Sequence, residues 1–383
     1  MKSKRIVIDA RMYGLEHAGI GRYVMNLVHH LDQIVSKSKT SPSRDQYYLL
    51  LRKKYYRGLK LKSQNFKKIL TDYPHYSLQE QLFLPLQLIK LRPALTHFPH
   101  FNVPVLWPGR YIVTIHDLIK HESKGPATTT LWQPFYWLKH LVYRFVVWMG
   151  IKRSIKIIVS SKWWQEELAK RYRFTPGKII VIYDGVEEKF KTTKTTTGKY
   201  KVNLPFVIYA GNLYPHKNIE RLVEAVKNLN NKDHLNLNLV VVCARSIFYD
   251  RFKEKVRLMG AEKFVNLAGF VPDEELAALY QQAEALVFPS LLEGFGLPGL
   301  EAMAVGLPVV AANASCLPEV YGKAALYFDP LDVDDMAAKI KKVMEDESLR
   351  ERLKTEGFKQ VKKYSWRKTA EQTLEVYERC TSS

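Results

Sequence analysis

Two glutamates, Glu293 and Glu301, are separated by seven residues that contain the glycine-rich turn 294–296. The apolar run 285–288 before them predicts a buried strand, and a helix is predicted to begin near Pro298. A helix that is entered through glycines presents unpaired backbone N–H groups and a positive dipole end, which suit a phosphate. Because a diphosphate would repel a carboxylate, both glutamates are expected to accept hydrogen bonds from sugar or ribose hydroxyls. The pattern predicts a nucleotide-sugar site; a solvated glutamate pair on an ordinary strand–loop–helix unit is the alternative.

Lys217 is a further candidate for a residue that binds a ligand. It follows the predicted strand 206–210 and directly precedes Asn218, a residue type that can cap the next helix. A cation at a helix N-terminus is slightly unfavourable for the helix, so its presence there favours an anionic ligand beside it. We therefore expect Lys217 to bind an anion, with a plain surface lysine as the alternative.

Apolar runs and helix-length segments alternate along the whole chain. The runs are nearly continuous rather than alternating with polar residues, which is typical of parallel strands buried on both faces. The fold class is therefore predicted as α/β, with two doubly wound, Rossmann-like parallel sheets. The predicted strands are 5–8, 47–51, 95–98, 111–115, 155–159 and 179–182 in the first half, and 206–210, 239–243, 264–267, 285–288 and 308–311 in the second.

The length of 383 residues exceeds the size at which a single core usually keeps growing, which indicates two domains. The polar stretch 189–201 is interpreted as a linker. This places an N-terminal domain at 1–188, a C-terminal domain at 202–364 and a last helix within 365–383. Ligands of such sheets bind beyond the carboxyl ends of the strands, so the cleft between the two domains is the expected site.

The net charge of +21 is concentrated in the first half of the chain. Residues 1–200 contain 35 Lys and Arg against 13 Asp and Glu, whereas residues 201–383 contain 24 against 25. The segment 52–68 is densest, with eight basic residues, no acidic one and interleaved aromatic residues. An anionic membrane surface, a nucleic acid and a plain solvated face are the possible interpretations, and no nucleic-acid motif accompanies the segment. The Trp-rich segment 131–149 is expected to be a core-packed helix.

Three cysteines, odd in number and widely spaced, fit a reducing compartment better than a disulfide framework. No signal-peptide pattern precedes the first predicted strand, and no apolar run approaches the roughly 20 residues that span a bilayer. We expect a cytoplasmic protein, or one that is peripheral on the inner face of the plasma membrane. No Asp-x-Asp follows a strand and no His/Cys cluster occurs, so no catalytic metal and no cofactor are expected.

The segment 289–301, Pro-Ser-Leu-Leu-Glu-Gly-Phe-Gly-Leu-Pro-Gly-Leu-Glu, resembles the signature of retaining glycosyltransferases of the GT-B fold in family 4. The resemblance covers nearly the whole chain, because further matching segments occur in the family's order and at its usual distances. These segments are 114–118, 209–218, 269–276, 317–320 and 364–367.

The resemblance implies metal-independent, retaining transfer of a hexose, mannose or glucose, from a GDP-sugar or UDP-sugar to a lipid-linked or polysaccharide acceptor. It also implies a final helix that returns to the N-terminal domain. The alternative of another class is an inactive GT-B-like binding protein that holds an anionic polymer or a membrane through its basic first half.

In the family's pattern Lys217 would contact the donor diphosphate, Glu301 the ribose hydroxyls and Glu293 the sugar hydroxyls. Phe270 would line the base pocket, although as one aromatic among many it could equally belong to the core. The other residues expected around the donor are Gly211, Asn212, Arg245, Gly294, Phe295, Gly296 and Leu297.

Asn212 departs from the family, which often has an arginine at that position. The donor site is one positive charge short unless Arg22, Arg245 or His216 compensates. On the acceptor side, His116 would orient the transferred sugar. The glycine-rich loop with Gly19, Gly21 and Arg22 would approach the acceptor and the donor phosphate; it lacks the last glycine of the dinucleotide fingerprint.

Overall fold

The computed structural model describes residues 3–37, 45–129, 131–174, 177–187, 190, 200, 202–243 and 246–382. The chain divides into two compact units. Unit 1 consists of residues 1–121, 129–185 and 366–383, and unit 2 consists of residues 122–128 and 186–365. The predicted linker 189–201 lies outside the described residues except at Phe190 and Tyr200.

Unit 1 contains a seven-stranded sheet in the order β3-β2-β1-β4-β5-β6-β7, in which every neighbouring pair is parallel. Its central strands are almost completely buried, as their continuous apolar sequences require. The strands are β1 (Arg5–Asp9), β2 (Gln46–Leu51), β3 (Phe66–Leu70), β4 (Leu95–Phe98), β5 (Tyr111–Ile115), β6 (Lys156–Val159) and β7 (Ile179–Val181).

Six α-helices are described in the first half of the chain, and the longest are α1, α3 and α5. A left-handed residue, Arg92, ends α3, and its N–H group donates to the carbonyl of Leu88. These helices are α1 (Ala18–Lys37), α2 (Lys53–Tyr56), α3 (Leu78–Leu91), α4 (Ile119–Glu122), α5 (Gln133–Arg153) and α6 (Lys162–Tyr172).

Unit 2 contains a six-stranded parallel sheet in the order β10-β9-β8-β11-β12-β13. Its strands are β8 (Phe206–Ala210), β9 (Asn238–Val242), β10 (Val265–Gly269), β11 (Ala285–Phe288), β12 (Val309–Ala312) and β13 (Ala325–Phe328). Its helices are α7 (Ile219–Asp233), α8 (Ile247–Leu258), α9 (Asp273–Gln282), α10 (Leu297–Ala304), α11 (Leu317–Tyr321), α12 (Val333–Glu345) and α13 (Glu347–Val361).

The predicted fold class, two Rossmann-like parallel sheets, is confirmed. Two strands were not predicted, and both lie at the edge of a sheet. In β3 two lysines interrupt the apolar run, and β13 has only four residues. Such short or interrupted strands have a weak apolar pattern because an edge strand has a neighbour on one side only.

The last helix, α14 (Trp366–Ser382), belongs to unit 1 although the segment before it belongs to unit 2. The Tyr377 hydroxyl lies 2.6 Å from Nδ1 of the buried His97. Thr369 donates a hydrogen bond of 2.7 Å to the carbonyl of Tyr183, and Arg110 donates one of 2.9 Å to the carbonyl of Cys380. These contacts join α14 to β4 and to the segments that follow β7 and precede β5.

The expectation of a core-packed Trp-rich helix is wrong. The segment forms α5, but only Val147, Gly150 and Ile151 of this helix are buried. Gly150 packs against Val103 and the carbonyl of Phe101, so one narrow side of α5 meets unit 1. Apolar residues occur on nearly all sides of the helix, and most of them therefore remain exposed.

Candidate active site

Two of the residues expected to bind the donor, Lys217 and Glu293, follow the carboxyl ends of β8 and β11, which are neighbours in the sheet of unit 2. Lys217 ends a single 3₁₀ turn, Pro215–Lys217, directly before α7, and Glu293 lies in the turn between β11 and α10. Lys217 Nζ is 2.6 Å from Glu293 Oε1, and the two residues are only 8% and 6% exposed. The alternative of a plain surface lysine is excluded.

The turn that carries Lys217 is fixed to the turn that carries Glu293. Asn218 occupies the N-cap position of α7 with a left-handed backbone, but its side chain makes no capping hydrogen bond. Instead, Asn218 Nδ2 donates to the carbonyls of Pro289 and Pro330, at 3.1 and 2.7 Å. The carbonyl of His216 also accepts from the N–H of Leu291 at 2.9 Å. The predicted capping residue is thus a clamp between the two turns.

Three residues that the sequence did not suggest hold the glycine turn. The N–H of Glu293 donates to Ser315 Oγ at 3.2 Å, and Cys316 Sγ donates to the Glu293 carbonyl at 3.4 Å. The Tyr321 hydroxyl donates to the Gly296 carbonyl at 2.6 Å. Gly296 has a φ of +94°, and a Cβ there would meet the Tyr321 hydroxyl at 2.5 Å. A glycine is needed here both for the backbone angle and for the close approach of Tyr321.

The other donor-side candidates differ in accessibility. Glu301 is the fifth residue of the eight-residue helix α10, beyond its first turn, and is 5% exposed. Phe295 is also buried and packs edge-on against Tyr364 at 5.4 Å, so a ligand could meet its backbone but not its ring. Leu297 is the first residue of α10. Phe270 is 65% exposed, which excludes the alternative that it belongs to the core.

His216 does not supply the positive charge that Asn212 leaves missing near Lys217. Burial, and secondly the neighbouring Lys217, lower the pKa of His216 to about 3, so this ring is neutral near pH 7. Asn212 is exposed, and its carbonyl accepts from the Tyr209 hydroxyl at 2.6 Å; Gly211 precedes it. Arg245 lies outside the described residues.

On the acceptor side, His116 follows β5 in unit 1. Its Nε2 is 3.0 Å from the carbonyl of Pro99 and must donate to it, because a carbonyl oxygen only accepts. Burial lowers the pKa of His116 to about 4. The ring is therefore neutral near pH 7, with Nδ1 as its acceptor nitrogen. The Tyr23 ring packs edge-on against it at 4.5 Å between centroids.

The glycine-rich loop expected around Gly19, Gly21 and Arg22 is instead the start of α1, which begins at Ala18. A Cβ at Gly21 would lie 1.8 Å from the carbonyl oxygen of Gly14. Gly21 thus permits a close approach between the helix and the preceding loop, and the helical geometry itself needs no glycine. Space remains open around Gly19.

A buried ionic cluster orders the segment between β1 and α1, and the sequence did not suggest it. Arg11 donates to both carboxylate oxygens of Asp9, at 2.7 and 2.6 Å, and to Glu80 Oε1 at 2.6 Å. Asn102 Nδ2 and the N–H of Tyr76 donate to the other Glu80 oxygen. Removing one partner would leave an uncompensated charge in the interior, so the cluster fixes the loop after β1.

Asp184 is a further buried carboxyl group in unit 1. Burial, and to a smaller extent the charge of Asp184, raise the pKa of Tyr23. Burial raises the pKa of Asp184 to about 7. In the described ranges, no group of three or more His, Cys, Asp and Glu side chains is placed to hold a metal ion.

Comparison with known proteins gives the family of the chain. Residues 192–360 match the family described as "Glycosyl transferases group 1", and residues 17–190 match "Glycosyltransferase Family 4". The chain belongs to the group 1 glycosyltransferases of family 4. The resemblance in the sequence motifs is thereby confirmed.

One relative of this family member is the O-antigen chain mannosyltransferase B of Escherichia coli. It is 39% identical over 172 residues, which are 45% of each chain. Among the first curated relatives, the matched segments span between 34% and 63% of the relatives' own lengths.

Solved structures agree on the fold. The sucrose-phosphate synthase of Thermosynechococcus elongatus superimposes with a TM-score of 0.75 at 20% identity, covering 100% of both chains. HepE of Anabaena, crystallised in complex with UDP and glucose, gives a TM-score of 0.71 at 15% identity, covering 98% of this chain and 100% of that one. At this identity the likeness establishes the GT-B fold and nothing further.

The buried ion pair between Lys217 and Glu293 should contribute to the stability of unit 2. Lys217→Met leaves the Glu293 carboxylate buried without a counter-charge, which should reduce the local free energy of unfolding by about 3–5 kcal/mol. The double variant Lys217→Met/Glu293→Gln removes both charges and should recover most of that loss. Hydrogen exchange of the β8 and β11 amides measures the effect. A single variant as stable as the wild type would contradict the pair's energetic role.

The raised pKa of Asp184 should make the stability of unit 1 depend on pH. Below about pH 4 its carboxyl is protonated in both the folded and the unfolded chain, so Asp184→Asn should change stability little. Between pH 4 and 7 the unfolded chain loses the proton first, so the folded wild type becomes less stable relative to the variant. The advantage of the variant should reach a few kcal/mol, roughly 2–4, above pH 7.

All seven tryptophans belong to unit 1, so their fluorescence during urea unfolding reports on this unit alone. Asp72→Asn is the control, because the hydrogen bond from Arg52 lowers the pKa of Asp72 and its replacement should give no such gain. A gain from Asp184→Asn that did not depend on pH would contradict the titration of Asp184.

Proposed function

We propose that the chain transfers a hexose from a nucleoside diphosphate sugar to a saccharide or lipid-linked saccharide acceptor, with retention of anomeric configuration. The observation that carries the proposal is the buried pair of Lys217 and Glu293 beside the glycine turn that opens α10. Unit 2 holds the donor in this proposal, and unit 1 binds the acceptor and orients the transferred sugar.

Lys217 provides the electrostatic part of the reaction. As the glycosidic bond to the donor breaks, negative charge builds up on the departing diphosphate, and preorganised donors at that point lower the barrier. Glu293 and the clamp of Asn218 restrict Lys217 before any ligand arrives. The N-terminus of α10 adds its dipole to the same region. We propose that these groups meet the phosphate charge without a metal ion or a cofactor.

The remaining roles follow from chemistry and accessibility. Glu301 accepts hydrogen bonds from the ribose hydroxyls, and Glu293, while paired with Lys217, can accept from a sugar hydroxyl through its remaining lone pairs. Gly294, Phe295 and Gly296 offer backbone groups to the sugar and phosphate. The exposed ring of Phe270 can stack on the base. These assignments rest on the family's pattern together with the positions of the residues in unit 2.

On the acceptor side, the neutral His116 can accept a hydrogen bond at Nδ1 from a hydroxyl of the transferred sugar, since Nε2 is occupied by Pro99. We propose that the segment with Gly19, Gly21 and Arg22, which begins α1, contributes to binding the acceptor.

The substrate class is supported by two comparisons. The similar protein from Escherichia coli is a mannosyltransferase of the O-antigen chain, which favours mannose and a polysaccharide product. HepE was crystallised with UDP and glucose, which supports a nucleoside diphosphate as the carrier. A donor of the GDP-mannose type fits both comparisons, whereas one of the UDP-glucose type fits only the second. A lipid-linked acceptor would keep a cytoplasmic enzyme of this kind at the inner face of the plasma membrane.

The assignment of Glu301 to the ribose is testable. Glu301→Gln should weaken the binding of the preferred nucleoside diphosphate about 10- to 100-fold, because hydrogen bonds to a charged acceptor are lost. With the 2′,3′-dideoxy analogue the wild type and the variant should bind equally. Calorimetric titration in the presence of EDTA measures all four affinities.

Glu347→Gln is the control, since Glu347 also lies in a helix of unit 2, α13, but is exposed. Unchanged transfer activity and affinity in the Glu301 variant would contradict the assignment. A protein that binds neither GDP nor UDP, but binds RNA in a salt-dependent manner, would favour the inactive binding protein instead.

A further inference from the structure

The most unusual surface of unit 1 is the outer side of α5. Residues on this side are large and apolar, and more than a third of each is exposed; Leu141 reaches 66%. Four of them within the helix are Trp or Phe: Phe135, Trp137, Phe145 and Trp148. The exposed residues in and just before α5 are Leu131, Trp132, Phe135, Trp137, Leu138, Leu141, Val142, Phe145 and Trp148.

Helix α3 presents a second apolar side. Leu78, Leu82, Leu86 and Ile89 recur at helical spacing and are each at least half exposed, and Phe83 lies beside them. The buried side of α3 consists of Glu80, Leu84, Pro85 and Leu88. A helix that is apolar on both sides is expected where both sides meet an apolar environment.

The loop between β4 and β5 joins the two helices into one surface. Gln81 of α3 accepts from the N–H of Val105 at 2.8 Å, and Arg153 of α5 donates to the carbonyl of Val105 at 2.7 Å. Leu106 follows in the same loop and is 64% exposed. In the middle of α5, Tyr143 packs edge-on against Phe101 of this loop at 5.1 Å, and Phe101 lies 6.2 Å from Tyr76 before α3. We call this surface the α3–α5 face.

The surroundings of the α3–α5 face are almost free of acidic residues. From Gln81 to Gln165 the sequence contains only Asp117 and Glu122 as acids, against eleven basic residues. In α5 itself Lys139, Arg144, Lys152 and Arg153 are exposed and no acid occurs. The basic residues are Lys90, Arg92, Arg110, Lys120, Lys124, Lys139, Arg144, Lys152, Arg153, Lys156 and Lys162.

We propose that the α3–α5 face is a docking surface for an anionic lipid bilayer, into whose interface the apolar residues of α3 and α5 insert while the basic residues contact lipid headgroups. Exposed apolar area this extensive is costly in water and marks an interaction site. Amphipathic elements with large apolar side chains and flanking Lys and Arg lie in the membrane interface. None of the helices in the described part of the chain has the length and apolar character that crossing a bilayer requires.

Several residues of the basic segment 52–68, one interpretation of which was an anionic membrane surface, make contacts within unit 1. Arg52 pairs with Asp72 at 2.6 Å, and Lys54 with Glu16 at 3.0 Å. Lys68 donates to the carbonyl of Leu59 at 2.9 Å, and its ammonium lies over the ring of Tyr56 at 5.6 Å. This segment adds positive charge, but its aromatic residues do not form an exposed apolar surface.

The test is co-sedimentation of the full chain with vesicles of phosphatidylcholine alone and with about 30% phosphatidylglycerol. The wild type should bind the anionic vesicles and shift its tryptophan emission to shorter wavelength, since Trp132, Trp137 and Trp148 lie on the α3–α5 face. Leu138→Ser/Leu141→Ser and Leu82→Ser/Leu86→Ser should each reduce partitioning at least about tenfold. Arg144→Glu should reduce it about fivefold or more at low salt.

Matched controls keep the inference falsifiable. Leu258→Ser/Leu331→Ser replaces two equally exposed leucines of unit 2 and should bind vesicles like the wild type. Lys60→Glu/Lys62→Glu alters the segment 52–68 and should have a smaller effect than the α3–α5 variants. Because all these side chains are exposed, circular dichroism and calorimetry with nucleoside diphosphate should be unchanged.

Vesicle binding that survives both leucine pairs, or that only the Lys60 and Lys62 variant abolishes, would overturn the proposal. A wild type that binds neither kind of vesicle, but self-associates with rising concentration through Leu138 and Leu141, would also overturn it. The α3–α5 face would then bind a second copy of the chain. The inference does not rest on sugar transfer, because an inactive chain with the same face should bind lipid equally well.

Discussion

Burying a lysine together with a glutamate is the constraint around which unit 2 is built. A charge in the interior costs several kcal/mol unless its partner is well placed, so both side chains must be held in register. The register comes from the adjacent strands β8 and β11, whose carboxyl ends place the two turns side by side. Asn218 then links the two turns through the carbonyl of Pro289 and also donates to the carbonyl of Pro330 after β13. Ser315 and Cys316 fix the backbone of Glu293.

The same physical requirement operates independently in unit 1. Asp9, Arg11 and Glu80 form a buried charged cluster at the carboxyl end of β1, and Asn102 completes its hydrogen bonds. This cluster ties α3 and the loop between β4 and β5 to the end of β1. That loop also carries Val105 and Leu106, so the internal cluster and the outer α3–α5 face share a support. The loop after β1 and the α3–α5 face are therefore supported by the same buried cluster.

The sequence was sufficient to predict the two parallel sheets, because strands buried on both faces leave continuous apolar runs. It was also sufficient to name Lys217 and Glu293, since each follows a predicted strand. It could not show that they touch, because 76 residues separate them and their contact depends on the order of the strands. Asn218 was assigned to a local cap, whereas its partners are distant in sequence. The apolar composition of α5 led to the prediction of a helix packed in the core. A sequence shows which residues of a helix are apolar, but it does not show whether another element covers them.

The central claim, that Lys217 held by Glu293 binds the donor diphosphate, is tested most directly by comparing a nucleoside diphosphate with its parent nucleoside. Calorimetric titrations of wild type and Lys217→Met with GDP, guanosine, UDP and uridine, in EDTA, would separate the phosphate contribution from that of base and ribose. The account predicts that the wild type prefers one diphosphate over its nucleoside by about 100-fold. It predicts that Lys217→Met loses this preference while nucleoside binding persists. A variant that keeps the full preference for the diphosphate would contradict the account.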